Sequence, residues 1–106
     1  MVTLFIEYRI APDKWEKYLT MIPAIRSQVT QAGEIALHQF LTSDEQNGLI
    51  VELIQSADPE KLEEIRQLYT NESGDILLQL RSCLAAGKSK VNAWRFKSLA
   101  TSGDEC

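Results

Sequence analysis

The sequence predicts an α+β domain in which helices cover one face of a four-stranded sheet. Four segments have the alternating or continuous apolar pattern of strands, and longer segments between them repeat apolar residues at helical spacing. A chain of 106 residues has room for one hydrophobic core. We therefore expect a single domain over residues 1–100, followed by a polar tail, residues 101–106, that lacks periodicity and is predicted to be disordered.

The first strand is predicted for residues 2–10, where apolar and polar side chains alternate. Pro12 and Asp13 then begin the first helix, because proline presets a helical φ and an acidic side chain suits the positive end of a helix. Gly33 is predicted to end this helix in a left-handed cap.

Residues 34–41 form the second predicted strand, and a turn rich in Ser, Asp, Asn and Gly joins it to the third, residues 49–54. Asp58 is the predicted N-cap of the second helix. That helix is interrupted at residues 71–74 and is predicted to resume over residues 75–86.

A last strand, residues 91–99, completes the order strand, helix, strand, strand, helix, strand, which is the βαββαβ arrangement of ferredoxin-like folds. Right-handed crossovers place both helices on one face of a four-stranded sheet of the antiparallel type. They also lead us to expect the first and third strands side by side and parallel in its middle.

The opposite face of the sheet is predicted to be apolar enough to require a partner. Its expected members are Phe5, Glu7, Arg9, His38, Phe40, Glu52 and Ile54, with either Trp94 and Phe96 or Arg95 from the last strand, whose phase stays open. Such a surface is poorly tolerated in water. We therefore expect a homodimer in which two sheets pack face to face as a dimeric α/β barrel.

Composition limits the classes of partner. A formal charge of −4 gives no general attraction for nucleic acid or for anionic membranes. The first residues lack the basic leader of a signal sequence, and no apolar run is long enough to span a bilayer. We expect a cytoplasmic protein that binds neither nucleic acid nor membrane.

A carboxylate within an apolar strand is the strongest functional signal. Glu52 lies in the run LIVELI, and the predicted register places Glu7 on the neighbouring strand and the same face. When two carboxylates lie close together in a partly dry cavity, keeping both ionised is unfavourable, so the pKa of one should be raised. That group can then serve as a general base or acid. Arg9 and His38 on that face can orient a substrate or carry a proton. The alternative is that these four residues form structural ion pairs within a dimer interface.

Aromatic side chains offer a candidate substrate pocket. Phe5, Phe40, Trp94 and Phe96 can line a site for a small apolar or aromatic molecule, although aromatics at such spacing also occur as ordinary core. His38 is the only histidine and no spaced ligand motif accompanies it, so we expect no metal.

Basic residues around the last strand raise nucleic acid as an alternative. The basic residues Lys88, Lys90, Arg95 and Lys97 are interleaved there with Trp94 and Phe96, and RNA-recognition domains share the order of elements. The third strand, however, lacks the basic and stacking residues of the main RNA motif. A solvated edge strand protected by lysines is the preferred interpretation.

The segment LIVELIQSADPEKLEEI, residues 49–65, resembles the dimeric α/β-barrel superfamily that includes the antibiotic-biosynthesis monooxygenases. Glu52 matches a carboxylate that members often carry in the third strand, and Ile54 stands where many have Trp. Members that degrade haem carry a helical His as iron ligand, but the corresponding position falls near Ile65, so haem degradation of that kind is not expected.

The resemblance implies a small dimeric α/β-barrel protein that acts on or binds a small apolar or aromatic molecule. It leaves open whether the protein is an enzyme of the cofactor-independent monooxygenase type, and we expect no cofactor. The alternative is a non-catalytic ligand-binding or structural homodimer.

Overall fold

The structure is a computed structural model that describes residues 1–87 and 90–99. The predicted α+β class and the ferredoxin-like order of elements are confirmed. The elements are β1 (Val2–Arg9), a 3₁₀ turn (Pro12–Lys14), α1 (Trp15–Ala32), β2 (Leu37–Thr42), β3 (Leu49–Ser56), α2 (Pro59–Thr70), α3 (Asp75–Leu80), a second 3₁₀ turn (Arg81–Cys83) and β4 (Asn92–Lys97). The tail predicted at 101–106 lies outside the described residues.

The four strands form one sheet in the order β2-β3-β1-β4, and every neighbouring pair is antiparallel. The expectation that the two central strands run parallel is therefore wrong. Each helical crossover does join parallel strands, but one strand lies between them: β3 separates β1 from β2, and β1 separates β3 from β4. Adjacent strands consequently alternate in direction.

Of two helix ends predicted from local sequence, one is confirmed by the structure and the other is not. Asp58 caps α2 as predicted, because its Oδ1 accepts a hydrogen bond from the backbone N–H of Glu60 at 3.0 Å. Gly33 follows α1, but its φ of 167° is extended backbone, so the predicted left-handed cap is wrong.

The helix predicted over residues 75–86 is shorter in the structure and ends at Leu80. The residues after it bond to the end of β1 instead of continuing the helix. The N–H of Ala11 donates to the carbonyl of Cys83 at 2.8 Å, and the N–H of Ala85 donates to that of Arg9 at 2.9 Å. These bonds hold residues 83–85 beside the end of β1.

The core lies between the helices and one face of the sheet. From the sheet, the buried side chains are those of alternate residues in the two central strands, such as Leu4, Ile6 and Tyr8 of β1 and Ile50 and Ile54 of β3. The helices contribute a second apolar layer. The other side of the sheet, called the open face below, carries Phe5, Glu7, Arg9, Leu37, Gln39, Leu41, Val51, Leu53, Gln55, Trp94 and Phe96.

The strand register corrects the predicted assignment of faces. Residues directly opposite each other in a ladder share a face, and Glu52 is opposite Ile6 of β1 and Phe40 of β2. Glu52, Phe40 and, two residues along, His38 and Ile54 therefore face the helices and not the open face. The last strand takes the phase that places Trp94 and Phe96 on the open face.

Candidate functional site

Glu52 is fully buried at the centre of the helix-covered face, with 0% of its surface exposed. Its carboxylate is held by three side chains from three other elements. Tyr8 of β1 donates its hydroxyl proton to Oε2 at 2.6 Å, and Tyr69 of α2 donates to Oε1 at 2.6 Å. His38 of β2 places Nε2 2.6 Å from Oε1. Charge-assisted hydrogen bonds of this length compensate for the desolvation of a buried carboxylate.

A fourth side chain extends this network toward the first helix. The hydroxyl oxygens of Tyr8 and Tyr18 are 2.8 Å apart. Because the single hydroxyl proton of Tyr8 is already donated to Glu52, Tyr18 must be the donor in this second bond. The hydrogen bonds therefore run in one direction, from Tyr18 to Tyr8 to Glu52.

The environment keeps all three phenols protonated. Burial raises the pKa of Tyr8, Tyr18 and Tyr69 well above the ordinary value of 10.0, and the negative charge of Glu52 raises each pKa further. For Tyr18, the hydrogen bond to Tyr8 acts in the opposite direction, but the net pKa change is still upward. Each phenol is thus a hydrogen-bond donor throughout the physiological pH range.

His38 is the one member of the network with an unsatisfied atom. Only 8% of its side chain is exposed, and its ring packs against Phe40 with 4.6 Å between centroids. Nε2 is the ring nitrogen that contacts the carboxylate, and Nδ1 lies on the other side of the ring. Nδ1 is buried and has no hydrogen-bond partner among the described residues.

A small cavity reaches this network from the side of α1. Its volume is about 160 Å³, and it lies between α1 and the adjacent ends of β2 and β3. The wall is largely apolar and is lined by Trp15, Tyr18, Leu19, Ile22, Phe40, Leu41, Thr42 and Ile50. Tyr18 therefore lines the cavity and, through its hydroxyl, also belongs to the chain of hydrogen bonds leading to Glu52.

The structure brings together only some of the residues predicted for a site. Glu52 and His38 are in contact, and Phe40 lines the cavity beside them. Glu7 and Arg9 lie on the open face, because Glu7 is opposite Val51 and not beside Glu52. The predicted pairing of the two carboxylates is therefore wrong.

Arg9 has a local role on the open face, where its guanidinium holds the turn between β2 and β3. It donates to the backbone carbonyl of Asn47 at 2.9 Å and to Oε1 of Gln46 at 2.7 Å.

The residues of the predicted aromatic pocket are divided between the two faces of the sheet. Phe5 packs against Trp94 and Phe96 on the open face, with ring centroids 5.7 and 6.0 Å apart, whereas Phe40 faces the helices.

The three tyrosines of the network are absent from the predicted site. Each occupies a position that periodicity assigns to the core, where an aromatic residue looks like ordinary packing. One signal was available: a buried tyrosine needs a partner for its hydroxyl, and Glu52 was the one carboxylate predicted within an apolar run. All of the chain's tyrosines, three in number, belong to this network.

Two further observations bear on the site. Within residues 1–87 and 90–99, no three His, Cys, Asp or Glu side chains are grouped so that they could hold a metal ion. Nor does that part of the chain contain a helix long and apolar enough to cross a bilayer.

Sequence comparison finds no protein-family model that matches this chain, and no curated protein is significantly similar to it. Solved structures are similar in fold. A conserved protein from Methanosarcina mazei Go1 aligns with a TM-score of 0.73 at 10% identity and covers 92% of both chains. An antibiotic biosynthesis monooxygenase aligns with a TM-score of 0.71 at 12% identity, over 94% of this chain and 100% of the other.

SnoaB, a cofactor-independent oxygenase from Streptomyces nogalater, aligns with a TM-score of 0.65 at 13% identity over 94% of each chain. These similarities confirm the resemblance to the antibiotic-biosynthesis-monooxygenase superfamily at the level of the fold. Fold does not by itself determine the reaction.

Proposed function

We propose that this protein binds a small apolar or aromatic molecule in the cavity beside α1 and that Glu52 removes a proton from it. The observation that carries the proposal is the directed chain of hydrogen bonds from Tyr18, in the cavity wall, through Tyr8 to Glu52. No cofactor is part of the proposal.

The size and lining of the cavity define the class of ligand. An apolar cavity of about 150 Å³ is large enough for a benzene ring, and the cavity here is about 160 Å³. The residues that line it are apolar except for Thr42 and Tyr18. The matching ligand is a molecule of one ring with a single polar group.

The proposed proton transfer follows the direction of the hydrogen bonds. A C–H or O–H bond of the ligand breaks and its proton passes to the oxygen of Tyr18, while the hydroxyl proton of Tyr18 passes to Tyr8. The proton of Tyr8 passes to Glu52, so the ligand becomes an anion and Glu52 becomes neutral. Because burial raises the pKa of both phenols, neither rests as a phenolate and the transfers are concerted.

The fold comparison supports this class of reaction. SnoaB is named a cofactor-independent oxygenase, and it aligns with this chain over 94% of each chain. A protein without a cofactor must activate an organic molecule with its own side chains, and a buried carboxylate connected to a cavity is suited to that task.

Exchange of carbon-bound protons with deuterium tests the catalytic step. The probe is cyclohexanone in D₂O, followed by NMR, because it is a single apolar ring with weakly acidic C–H bonds. We expect the wild type to accelerate exchange over buffer, and Glu52→Gln and Tyr18→Phe to remove the acceleration. Glu7→Gln is the matched control, since Glu7 lies on the other face of the sheet. Exchange by Glu52→Gln at the wild-type rate would refute the role of Glu52.

A non-catalytic function is the second candidate, and one observation favours it. Glu52 is 0% exposed and receives its donors from three different elements, so the network also ties the sheet to the helices. In that case the wild type binds cyclohexanone without accelerating exchange, and Glu52→Gln changes only the free energy of unfolding.

We further propose that the protein acts as a homodimer through its open face. Large apolar side chains are exposed there, including Leu41, Trp94 at 44% and Phe96 at 54%. Packing two such sheets against each other removes this surface from water.

Sedimentation at micromolar concentration tests the dimer. We expect a dimer for the wild type and a monomer for the double variant Trp94→Arg, Phe96→Arg. Leu78→Arg is the control, because Leu78 is 51% exposed but lies on α3, away from the open face. A monomeric wild type would refute the proposed assembly.

A further inference from the structure

We propose that a second site, independent of the proposed function above, binds a small aromatic carboxylate. The site is a groove of about 750 Å³ between α2, the residues around α3 and the edge strand β4. We call it the basic groove and define it by the cationic residues Arg66, Arg81 and Lys90 and the apolar residues Leu77, Val91 and Ala93. Its volume lies within the range of roughly 300–1,000 Å³ that is usual for small-molecule sites.

The charge of the basic groove differs in sign from that of the whole chain. Three cationic side chains line it, against one lining carboxylate, Glu72, which pairs with Arg81, and a second carboxylate, Glu63, that lies 3.7 Å from Nη1 of Arg66 outside the lining. One positive charge more than these two carboxylates remains, on Lys90. The chain as a whole has a formal charge of −4. A concave surface with a local excess of positive charge concentrates anions, so the ligand is expected to be negatively charged.

Both arginines of the basic groove are held in place by existing hydrogen bonds. Arg66 donates through Nη2 to the carbonyl of Ala93 at 2.9 Å, and Arg81 donates through Nη2 to Oε2 of Glu72 at 3.1 Å. A guanidinium has five N–H donors, so each retains donors for a ligand. Planar guanidinium groups bind carboxylates with two parallel hydrogen bonds, which makes a carboxylate the best-matched anionic group.

The interior of the basic groove favours a ligand with a flat apolar part. Leu77, Val91 and Ala93 form a nearly buried apolar lining. A bare inorganic anion makes no use of these surfaces. An aromatic ring attached to a carboxylate uses both the lining and the arginines, because the ring can pack on the apolar wall while its acid group faces the cations.

Titration of the full-length protein with benzoate, followed by backbone amide NMR shifts, tests this site. We expect saturable shifts at residues of the basic groove. Arg81→Gln and Lys90→Gln should each weaken benzoate binding at least tenfold. Lys61→Gln is the matched control: it removes one positive charge from α2 outside the groove and should leave affinity unchanged within twofold. Arg81 and Lys90 are exposed, so these variants are expected to fold.

Two further probes separate the chemical features of the ligand. Benzamide has the same ring without the charge, and inorganic phosphate has charge without a ring; both should bind at least tenfold more weakly than benzoate. Equal binding of benzamide would refute the role of the cations, and equal binding of phosphate would refute the role of the apolar lining. Absence of saturable shifts with benzoate would refute the site, and this result is independent of cyclohexanone exchange at the other cavity.

Discussion

Three Tyr→Phe substitutions test whether the hydrogen-bond network around Glu52 is arranged as described. Each removes one hydroxyl and leaves the aromatic ring in the core, so packing changes little. The directed chain from Tyr18 to Tyr8 to Glu52 makes the three positions unequal. Tyr69, in contrast, makes one bond to the carboxylate and stands outside that chain.

The expected decrease in the free energy of unfolding follows from the number and type of hydrogen bonds that each substitution removes. Tyr18→Phe removes one bond between neutral groups, which contributes about 0.5–1.5 kcal/mol. Tyr69→Phe removes one bond to a charged acceptor, which contributes about 1.5–3 kcal/mol. Tyr8→Phe removes a bond to the carboxylate and also the acceptor of Tyr18, so its loss is the sum, about 2–4.5 kcal/mol. The predicted order is therefore Tyr18, then Tyr69, then Tyr8 with the largest effect.

Urea unfolding at one fixed protein concentration measures this order, since the stability of the proposed dimer would depend on protein concentration. A difference of about 1 kcal/mol moves the urea midpoint by a few tenths of a molar to about 1 M, which is readily resolved. If Tyr18→Phe is as destabilising as Tyr8→Phe, the directed chain is wrong. If Tyr69→Phe is neutral, the carboxylate does not depend on the donor from α2.

Three other predictions concern stability. Folding raises the pKa of each buried tyrosine, so the contribution of these groups to the free energy of unfolding is complete below pH 10 and is lost as the pH rises further. In alkaline solution the free energy of unfolding should therefore fall by up to about 4 kcal/mol per pH unit, and each Tyr→Phe substitution should reduce this slope by about 1.4 kcal/mol per pH unit. In urea unfolding, Gly48→Ala should lower the free energy of unfolding by more than about 2 kcal/mol, because it adds a clash with the Ile10 carbonyl to the strain of a φ of +78°. Gly87→Ala, at a φ of +74° and with no atom of the described residues within 4 Å of the added Cβ, should cost only the strain, about 1–2 kcal/mol. Ser56→Ala should lower the free energy of unfolding, measured by thermal denaturation, by about 1–3 kcal/mol. The buried Ser56 hydroxyl donates to the Glu34 carbonyl and accepts from the Asp58 N–H, and each bond contributes about 0.5–1.5 kcal/mol; a neutral result would mean that water replaces the hydroxyl.

The order of elements could be predicted from the sequence because it rests on local patterns. The period of two in β1 and the capping signals at Asp58 are properties of short segments, and both are present in the structure. The face of each strand was harder to predict. β3 has apolar residues at both alternate sets of positions, so its pattern does not select a register, and a shift of one residue reverses every side chain. The register of β3 against β1 is set by tertiary packing, and the site prediction depended on it.

The candidate site was predictable only in part for a related reason. Glu52 stands out because a carboxylate within an apolar run requires compensation. Its partners come from β1, β2 and α2, at sequence separations of 44, 14 and 17 residues. No local pattern connects residues so far apart, and Tyr8 and Tyr69 have the spacing of ordinary core residues. The end of α3 was missed for the same cause, since its continuation bonds to β1 across the fold.

A final comparison distinguishes a structural from a functional reason for the buried charge. A buried ionic network is costly to desolvate, and replacing all of it with apolar groups of similar size is often neutral or stabilising by about 1–4 kcal/mol, whereas removing one member is destabilising. We therefore expect the combined variant Glu52→Leu, His38→Leu, Tyr8→Phe, Tyr18→Phe, Tyr69→Phe to unfold at about the wild-type urea concentration, although Tyr8→Phe alone does not. The same variant should have no cyclohexanone exchange activity. Stability without activity would mean that this core does not need the charge to fold, and that the carboxylate serves the chemistry at the Tyr18 cavity. A combined variant far less stable than Tyr8→Phe would instead assign the network to holding the sheet against its helices.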